Sequence, residues 1–134
     1  MADTIELEIV TPERLVVKDR AEEIQIPGRN GYLGVLPGHA PLITELAVGE
    51  IVYTNGGTAT RLSVAWGFAE VLPDKVTILA ETAERAEDID VPRAQAARDR
   101  ARRQLKEAED GAAYEEASTA LARAEARLSV AKQQ

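Results

Sequence analysis

The chain has 134 residues, 45% of them hydrophobic, which is enough to form one ordinary domain or a small domain with an appendage. It has no cysteine, which excludes disulfide bonds, thiolate nucleophiles and sulfur-ligated metal sites. The net charge of −7 is uneven, because residues 1–88 carry 7 basic and 15 acidic side chains whereas residues 89–134 carry 9 and 8. The acidic first part argues against nucleic-acid binding, which draws most of its affinity from basic contacts to phosphates.

The first six residues, Met1 to Glu6, are acidic where a secretory signal would be basic. No apolar run approaches the roughly 18 residues that a membrane span needs. We therefore expect a cytosolic protein without direct membrane insertion, attached to a membrane only through partner proteins.

Up to about residue 82 the pattern is typical of short strands, with turn residues such as Pro37-Gly38 and Asn55-Gly56-Gly57 between them. Apolar side chains recur at every second position in four stretches: Ile5, Leu7 and Ile9; Ile24 and Ile26; Leu62, Val64 and Trp66; and Val76 and Ile78. Because no helix is available as a crossover, we predict an all-β antiparallel sandwich or flattened barrel over residues 1–84 rather than a parallel sheet. Gly67 predicts a bulge or a close backbone approach.

The remaining chain, residues 85–134, has the composition of two helices. Asp90 is placed to cap the first helix, Pro92 falls in its first turn, and Asp110-Gly111 ends it. The second helix is predicted from about Ala112 to Ala131. The short connection makes the pair an antiparallel hairpin.

An alanine-rich seam is predicted to join the two helices. Its positions are Ala94, Ala97, Ala101, Leu105 and Ala108 in the first helix and Ala117, Leu121, Ala124, Leu128 and Ala131 in the second. Burying alanine removes little apolar area from water, so at about 25 cal/mol per Å² the seam stabilises the hairpin weakly. The hairpin is therefore predicted to be a movable regulatory element.

Four arginines are predicted to converge on one edge of the hairpin. At about 100° per residue, Arg93 and Arg100 lie to one side of their seam, and Arg123 and Arg127 are displaced in the same sense from theirs. With few acids among them, they favour a polyphosphate, because guanidinium forks match phosphate oxygens. The alternative is a solvated basic face.

No catalytic constellation is visible in the sequence. His39 is the single histidine, and we interpret it as a loop residue with a hydrogen-bonded ring rather than a metal ligand or a base. No nucleophile stands beside a base, and there is no phosphate loop or Rossmann fingerprint. We expect neither a metal nor a catalytic cofactor.

The segment Gly31-Tyr32-Leu33-Gly34-Val35-Leu36-Pro37-Gly38-His39-Ala40-Pro41-Leu42 resembles the signature loop of epsilon subunits of bacterial F-type ATP synthases. Ile9 to Glu13, Trp66 to Val71 and Val76 to Ala80 also match that family. The resemblance covers essentially the whole chain and includes the order of sandwich and then hairpin.

This resemblance implies a non-catalytic central-stalk subunit of a proton- or sodium-translocating complex, peripheral on the cytoplasmic face of the bacterial cell membrane. Its implied partners are the gamma subunit, the membrane rotor ring of c subunits, and the catalytic alpha and beta subunits. The loop from Arg29 to His39, with Tyr32, is implied to contact the ring. Tyr32 departs from the acidic residue that some members carry there.

The resemblance also implies that the hairpin binds ATP as a regulatory ligand, without hydrolysing it. Ile89-Asp90-Val91-Pro92-Arg93-Ala94 fits the family's Ile-Asp-x-x-Arg-Ala pattern. The implied ligand positions are Glu84, Ile89, Asp90, Arg93, Ala94, Arg100, Arg123 and Arg127.

When the hairpin extends it is expected to inhibit ATP hydrolysis. The basic face of the first helix is then predicted to meet acidic surface on a catalytic subunit through Arg98, Arg102, Arg103 and Lys106. Two alternatives remain. One is a purely structural coupling subunit with a fixed hairpin and no nucleotide site, and the other is a small β-sandwich enzyme, which the missing constellation disfavours.

Overall fold

The computed structural model describes residues 3–132. The strands are β1 (Ile5–Val10), β2 (Leu15–Ala21), β3 (Glu23–Gly28), β4 (Gly31–Val35), β5 (Leu42–Glu45), β6 (Gly49–Asn55), β7 (Thr58–Val71) and β8 (Lys75–Arg85). A 3-10 turn, Ala86–Asp88, leads to the helices α1 (Val91–Glu107) and α2 (Gly111–Lys132). Neither of these two helices is long and apolar enough to cross a membrane.

The strands form one sheet in the order β2-β1-β8-β7-β6-β3-β4, with β5 paired to β7. The sheet folds over on itself, as two hydrogen bonds across the fold show. The Glu22 amide donates to the Thr54 carbonyl, and the Tyr53 hydroxyl donates to Asp19. The core between the two halves consists of side chains from the strand region alone, such as Ile5, Leu7 and Ile78. The predicted sandwich is therefore confirmed.

One pair of strands departs from the predicted antiparallel arrangement. β1 and β8 pair in parallel, with Leu7 opposite Val76 and Ile9 opposite Ile78. Parallel partners need a long connection, and here the intervening strands β2 to β7 provide it in place of a helix. Pairing between strands this far apart in the chain leaves no local signal in the sequence.

The alternation of β7 changes phase at Trp66 and Gly67. Leu62 and Val64 face the core before this point, and Ala69 and Val71 face it afterwards. Trp66 is one-third exposed and has a φ of 58°, so its assignment to the inward pattern was wrong. Gly67 has a φ of 114°, and an added Cβ would collide with the Leu79 carbonyl oxygen. The predicted close approach is confirmed, but the register with β8 does not shift, so no bulge forms.

The helices follow the predicted signals closely. The Asp90 carboxylate accepts a hydrogen bond from the Arg93 amide at 3.1 Å, which caps α1, and Pro92 lies in the first turn. Gly111, the first residue of α2, adopts a φ of 72°, a conformation that costs glycine little, and α1 ends at Glu107, before the predicted Asp110-Gly111 stop. The alanine seam is present, with Ala94, Ala101, Ala117 and Ala124 buried.

Helix α2 also packs against the outer face of the sandwich, on β6 and β7. Its residues Ala126 and Val130 are buried, and at about 100° per residue they lie opposite the seam. Beneath the helix, Ser63 and Ala65 of β7 are buried although they lie outside the sandwich core. Helix α2 thus lies between the sheet and α1, an arrangement that the seam alone did not predict.

Candidate functional site

A cleft of about 330 Å³ opens where β8, the start of α1 and the end of α2 meet. Its lining residues are Glu84, Asp88, Asp90, Arg93, Ala94, Ala96, Ala97, Arg100 and Arg127. Because these residues come from the sandwich and from both helices, the cleft exists only while the hairpin is packed on the sandwich. Its volume falls at the lower end of the roughly 300–1,000 Å³ that small-molecule sites occupy.

Each acidic residue of the cleft already has a partner. Glu84 accepts from Arg127 Nε at 2.6 Å, and both side chains are about 30% exposed. Asp88 lies 3.6 Å from Arg14, and Asp90 caps α1. The expectation of few acids among the arginines was therefore wrong, because the fold brings β8 and the 3-10 turn to the same edge.

Arg93 and Arg100 are the available cations of the cleft. Both are exposed, and within residues 3–132 neither forms an ion pair. Arginine stays charged at any physiological pH, so two guanidinium groups that line one cleft favour an anion within it. The cleft accordingly has a cationic part, suited to phosphates, beside an acidic part that can accept hydrogen bonds from amino or hydroxyl groups.

Two of the predicted ligand residues lie outside this lining. Arg123 lines an adjoining groove along α2, with Thr119 and Glu116, so three arginines rather than four border the cleft. The Nε atom of Arg123 is buried without a hydrogen-bond partner among the described residues. Ile89 is buried against the protein interior. Conversely, three lining residues were not predicted as ligand positions: Asp88, Ala96 and Ala97. The available signals were that Asp88 directly precedes the Ile89-Asp90 motif and that the two alanines lie one turn after Arg93.

Of the residues predicted to contact the rotor ring, Arg29 and His39 lie at opposite ends of the short strand β5, whereas Tyr32 lies in β4. Arg29 donates to Glu45, the last residue of β5, at 2.8 Å. His39 precedes β5, and its Nδ1 lies 2.7 Å from the Ala40 carbonyl, as expected for a loop histidine with a hydrogen-bonded ring. Tyr32 accepts a hydrogen bond from the Glu50 amide at its hydroxyl oxygen, 3.2 Å away, and its ring is largely exposed.

The four basic residues predicted to meet a catalytic subunit divide into two groups. Arg98 and Arg102 line a groove of about 510 Å³ on the opposite edge of the hairpin from the cleft, together with Lys132 and Glu125. Arg103 and Lys106 are exposed outside it. Arg98 is also paired with the neighbouring Asp99 at 3.2 Å.

An apolar row crosses the outer face of the sandwich in the part that α2 does not cover. Phe68 pairs with Leu79, Leu79 with Val10, and Val10 with Leu15, so the four side chains stand side by side on four strands. Phe68, Leu79 and Leu15 are each about half exposed, at 53%, 55% and 50%. Large apolar side chains that are contiguous and exposed mark a surface for protein contact.

The strand region and the helical region each match a known protein domain family. Residues 4–86 match the beta-sandwich domain of the ATP synthase delta/epsilon chain, and residues 87–132 match its long alpha-helix domain. The ATP synthase epsilon chain of Koribacter versatilis is 71% identical over 105 residues, which cover 78% of this chain and 74% of that one. The epsilon chain of Solibacter usitatus is 50% identical over 131 residues, 98% of each chain. The chain belongs to the ATP synthase epsilon chain family.

Solved structures show the same fold. A chain of the Euglena gracilis mitochondrial ATP synthase, in the assembly of OSCP, F1 and c-ring, superposes with a TM-score of 0.82 at 26% identity, covering 98% of this chain and 83% of that one. A chain of the Tetrahymena thermophila mitochondrial ATP synthase central stalk and c-ring reaches 0.54 at 11% identity, which supports the fold alone.

Proposed function

We propose that this chain is a non-catalytic rotor subunit on the cytoplasmic face of the bacterial membrane, whose sandwich binds the gamma subunit and the c ring. Its hairpin binds ATP without hydrolysing it when packed on the sandwich, and inhibits ATP hydrolysis when extended toward the catalytic subunits. The observation that carries the regulatory part is the cleft, because it joins the sandwich to both helices and contains two arginines that form no ion pair within residues 3–132.

Nucleotide binding follows from the two-part chemistry of the cleft. Arg93 and Arg100 are available to bind phosphate oxygens, and Arg93 projects from the first turn of α1, at the positive end of its dipole. Asp88 and Asp90 can accept a hydrogen bond from the 6-amino group of adenine, whereas guanine carries at that position a carbonyl oxygen, which a carboxylate repels. Arginine neutralises the phosphates, so no Mg²⁺ is required for binding.

ATP binding would then control the hairpin by mass action. A ligand that binds only the packed state stabilises it by RT ln(1 + [L]/Kd), about 2.7 kcal/mol at a hundredfold excess over Kd. Because the alanine seam buries little apolar area and stabilises the hairpin only weakly, the ATP concentration would decide between the packed and extended hairpin.

Calorimetric titration of the isolated chain with ATP and GTP tests this proposal. We expect saturable binding of ATP, a raised melting temperature and weaker binding of GTP, with no release of phosphate. A chain that binds neither nucleotide would instead be a structural coupling subunit with a fixed hairpin. Release of phosphate by the purified chain would support the enzyme alternative.

The apolar row is the surface that we assign to the gamma subunit. It is flat, contiguous and free of charge across β7, β8, β1 and β2, which suits an apolar partner surface. Phe68→Ser with Leu79→Ser should weaken gamma binding at least tenfold, because large apolar residues at the centre of an interface dominate its affinity. Tyr114→Ser removes an exposed aromatic side chain from the hairpin instead and serves as the control.

The loop around β5 is the surface that we assign to the c ring. Ile43 and Leu36 are among the most exposed apolar side chains, and they flank the predicted contact residue His39. The natural chain has no cysteine, so a cysteine introduced at position 29 or 39 is unique. It should cross-link to a cysteine in the ring loop of the assembled complex, whereas a cysteine at Thr58, at the opposite end of β7, should not.

A further inference from the structure

A row of polar residues crosses the sheet directly under α2. Glu50 of β6 is opposite Ser63 of β7, and Ser63 is opposite Glu84 of β8. Both carboxylates reach the helix: Glu84 accepts from Arg127 at 2.6 Å, and Glu50 accepts from the Ser129 hydroxyl at 3.0 Å. The sandwich therefore contacts the hairpin through two separate carboxylates.

These two contacts lie on opposite sides of the helix. Ala126 and Val130 face the sheet, and at 100° per residue Arg127 and Ser129 project about 80° to either side of them. Arg127 lines the cleft described above, whereas Ser129 lines the groove on the other edge, with Arg98 and Arg102. A ligand in the cleft reaches the first contact and not the second.

Glu50 is more enclosed than a surface carboxylate. Its side chain is 20% exposed, its Oε1 atom is buried without a hydrogen-bond partner among the described residues, and the nearest cation is Arg61 at 3.7 Å. Its other oxygen binds Ser129. Loss of that hydroxyl would leave a mostly buried carboxylate without any hydrogen bond from the helix, which is unfavourable.

We infer that the Glu50–Ser129 hydrogen bond is a ligand-independent contact that keeps the hairpin packed when the nucleotide cleft is empty. The Glu84–Arg127 pair is then the ligand-sensitive contact, because a phosphate competes for the same guanidinium. This inference rests on the proposed movement of the hairpin. It adds that Glu50 and Ser129 set the fraction of packed hairpin in the absence of ATP.

Amide hydrogen exchange of the full-length chain without nucleotide tests the inference. A helix that leaves the sandwich loses the packing that stabilises its own backbone hydrogen bonds, so exchange of α2 amides reports the opening constant even when the open form is scarce. We expect Ser129→Ala to accelerate exchange in α2 roughly 10-fold to 150-fold, as loss of a hydrogen bond to a charged group does. Exchange in β1 should be unchanged. Ser118→Ala, an exposed serine of the same helix, is the control.

A double-mutant cycle with Glu50→Ala separates this contact from general loss of stability. If the two residues act together, the double variant exchanges no faster than Glu50→Ala alone. Additive effects, or a Ser129→Ala chain that exchanges like the Ser118→Ala chain, would overturn the inference. ATP is absent throughout, so failure of the proposed nucleotide site is detected separately, by ATP not slowing α2 exchange in the parent chain.

Discussion

Replacing Arg100 by alanine should weaken ATP binding more than replacing Arg127 does. Arg100 has no ion pair within the described residues, so its full charge is available to a phosphate. A hydrogen bond to a charged group contributes about 1.5 to 3 kcal/mol. Arg100→Ala should therefore raise Kd by a factor of about 10 to 150.

Arg127 differs from Arg100 because it already has a partner before ATP binds: its Nε donates to the Glu84 carboxylate at 2.6 Å. An ion pair whose side chains are 29% and 30% exposed contributes at most about 1 kcal/mol, and binding ATP weakens it. The net loss on Arg127→Ala is therefore about 0.5 to 2 kcal/mol, or roughly 2- to 30-fold in Kd.

Isothermal titration calorimetry of both variants gives the comparison directly. Arg103→Ala removes an exposed arginine of the same helix outside the cleft and should leave Kd within about twofold of the parent, because long-range charge effects are screened. Circular dichroism checks that the helices remain. An unchanged Kd for Arg100→Ala would refute the assignment of the phosphates to this cleft, and a larger loss for Arg127→Ala would refute the role given to Glu84.

Three further predictions concern the rest of the chain. Deleting residues 89–134 should leave a folded, gamma-binding sandwich and raise the hydrolytic activity of the reconstituted complex, because the core contains no helix residue; an unfolded circular dichroism spectrum would contradict this. Replacing the four basic residues Arg98, Arg102, Arg103 and Lys106 by alanine should relieve inhibition of ATP hydrolysis by the complex. The relief should be larger at low salt than at moderate salt, because salt screens the contact that the variant removes. Gly67→Ala should lower the free energy of unfolding in urea by about 2 to 4 kcal/mol, whereas Gly34→Ala, with open space around it, should be nearly neutral.

The sequence by itself determined the elements that depend on local spacing. Alternation with period two located four of the eight strands, β1, β3, β7 and β8, whereas Asp90 and Pro92 located the start of α1 and Gly111 the start of α2. The heptad spacing of alanine and leucine correctly predicted which faces of α1 and α2 meet. Such signals are readable because each residue's partners lie within about one turn or one strand of it.

Helix rotation alone predicted that Arg93, Arg100 and Arg127 share one edge of the hairpin, since their angular positions depend only on the helical period. Their acidic neighbours were not predictable in the same way. Glu84 and Asp88 belong to a strand and a turn, so their distance from Arg127 depends on how the hairpin packs against the sandwich.

Only the tertiary structure decided which surface of the hairpin faces the sandwich. Helix α2 is rich in alanine on all sides, so its sequence did not distinguish the face of Ala126 and Val130 from the seam. Both residues are buried on the side of the helix that faces the sheet. The parallel pairing of β1 with β8 and the contact of Glu50 with Ser129 join residues about 70 to 80 positions apart. Contacts of that range are set by the closing of the whole sheet and the packing of the helix on it, and no periodicity in the chain encodes them.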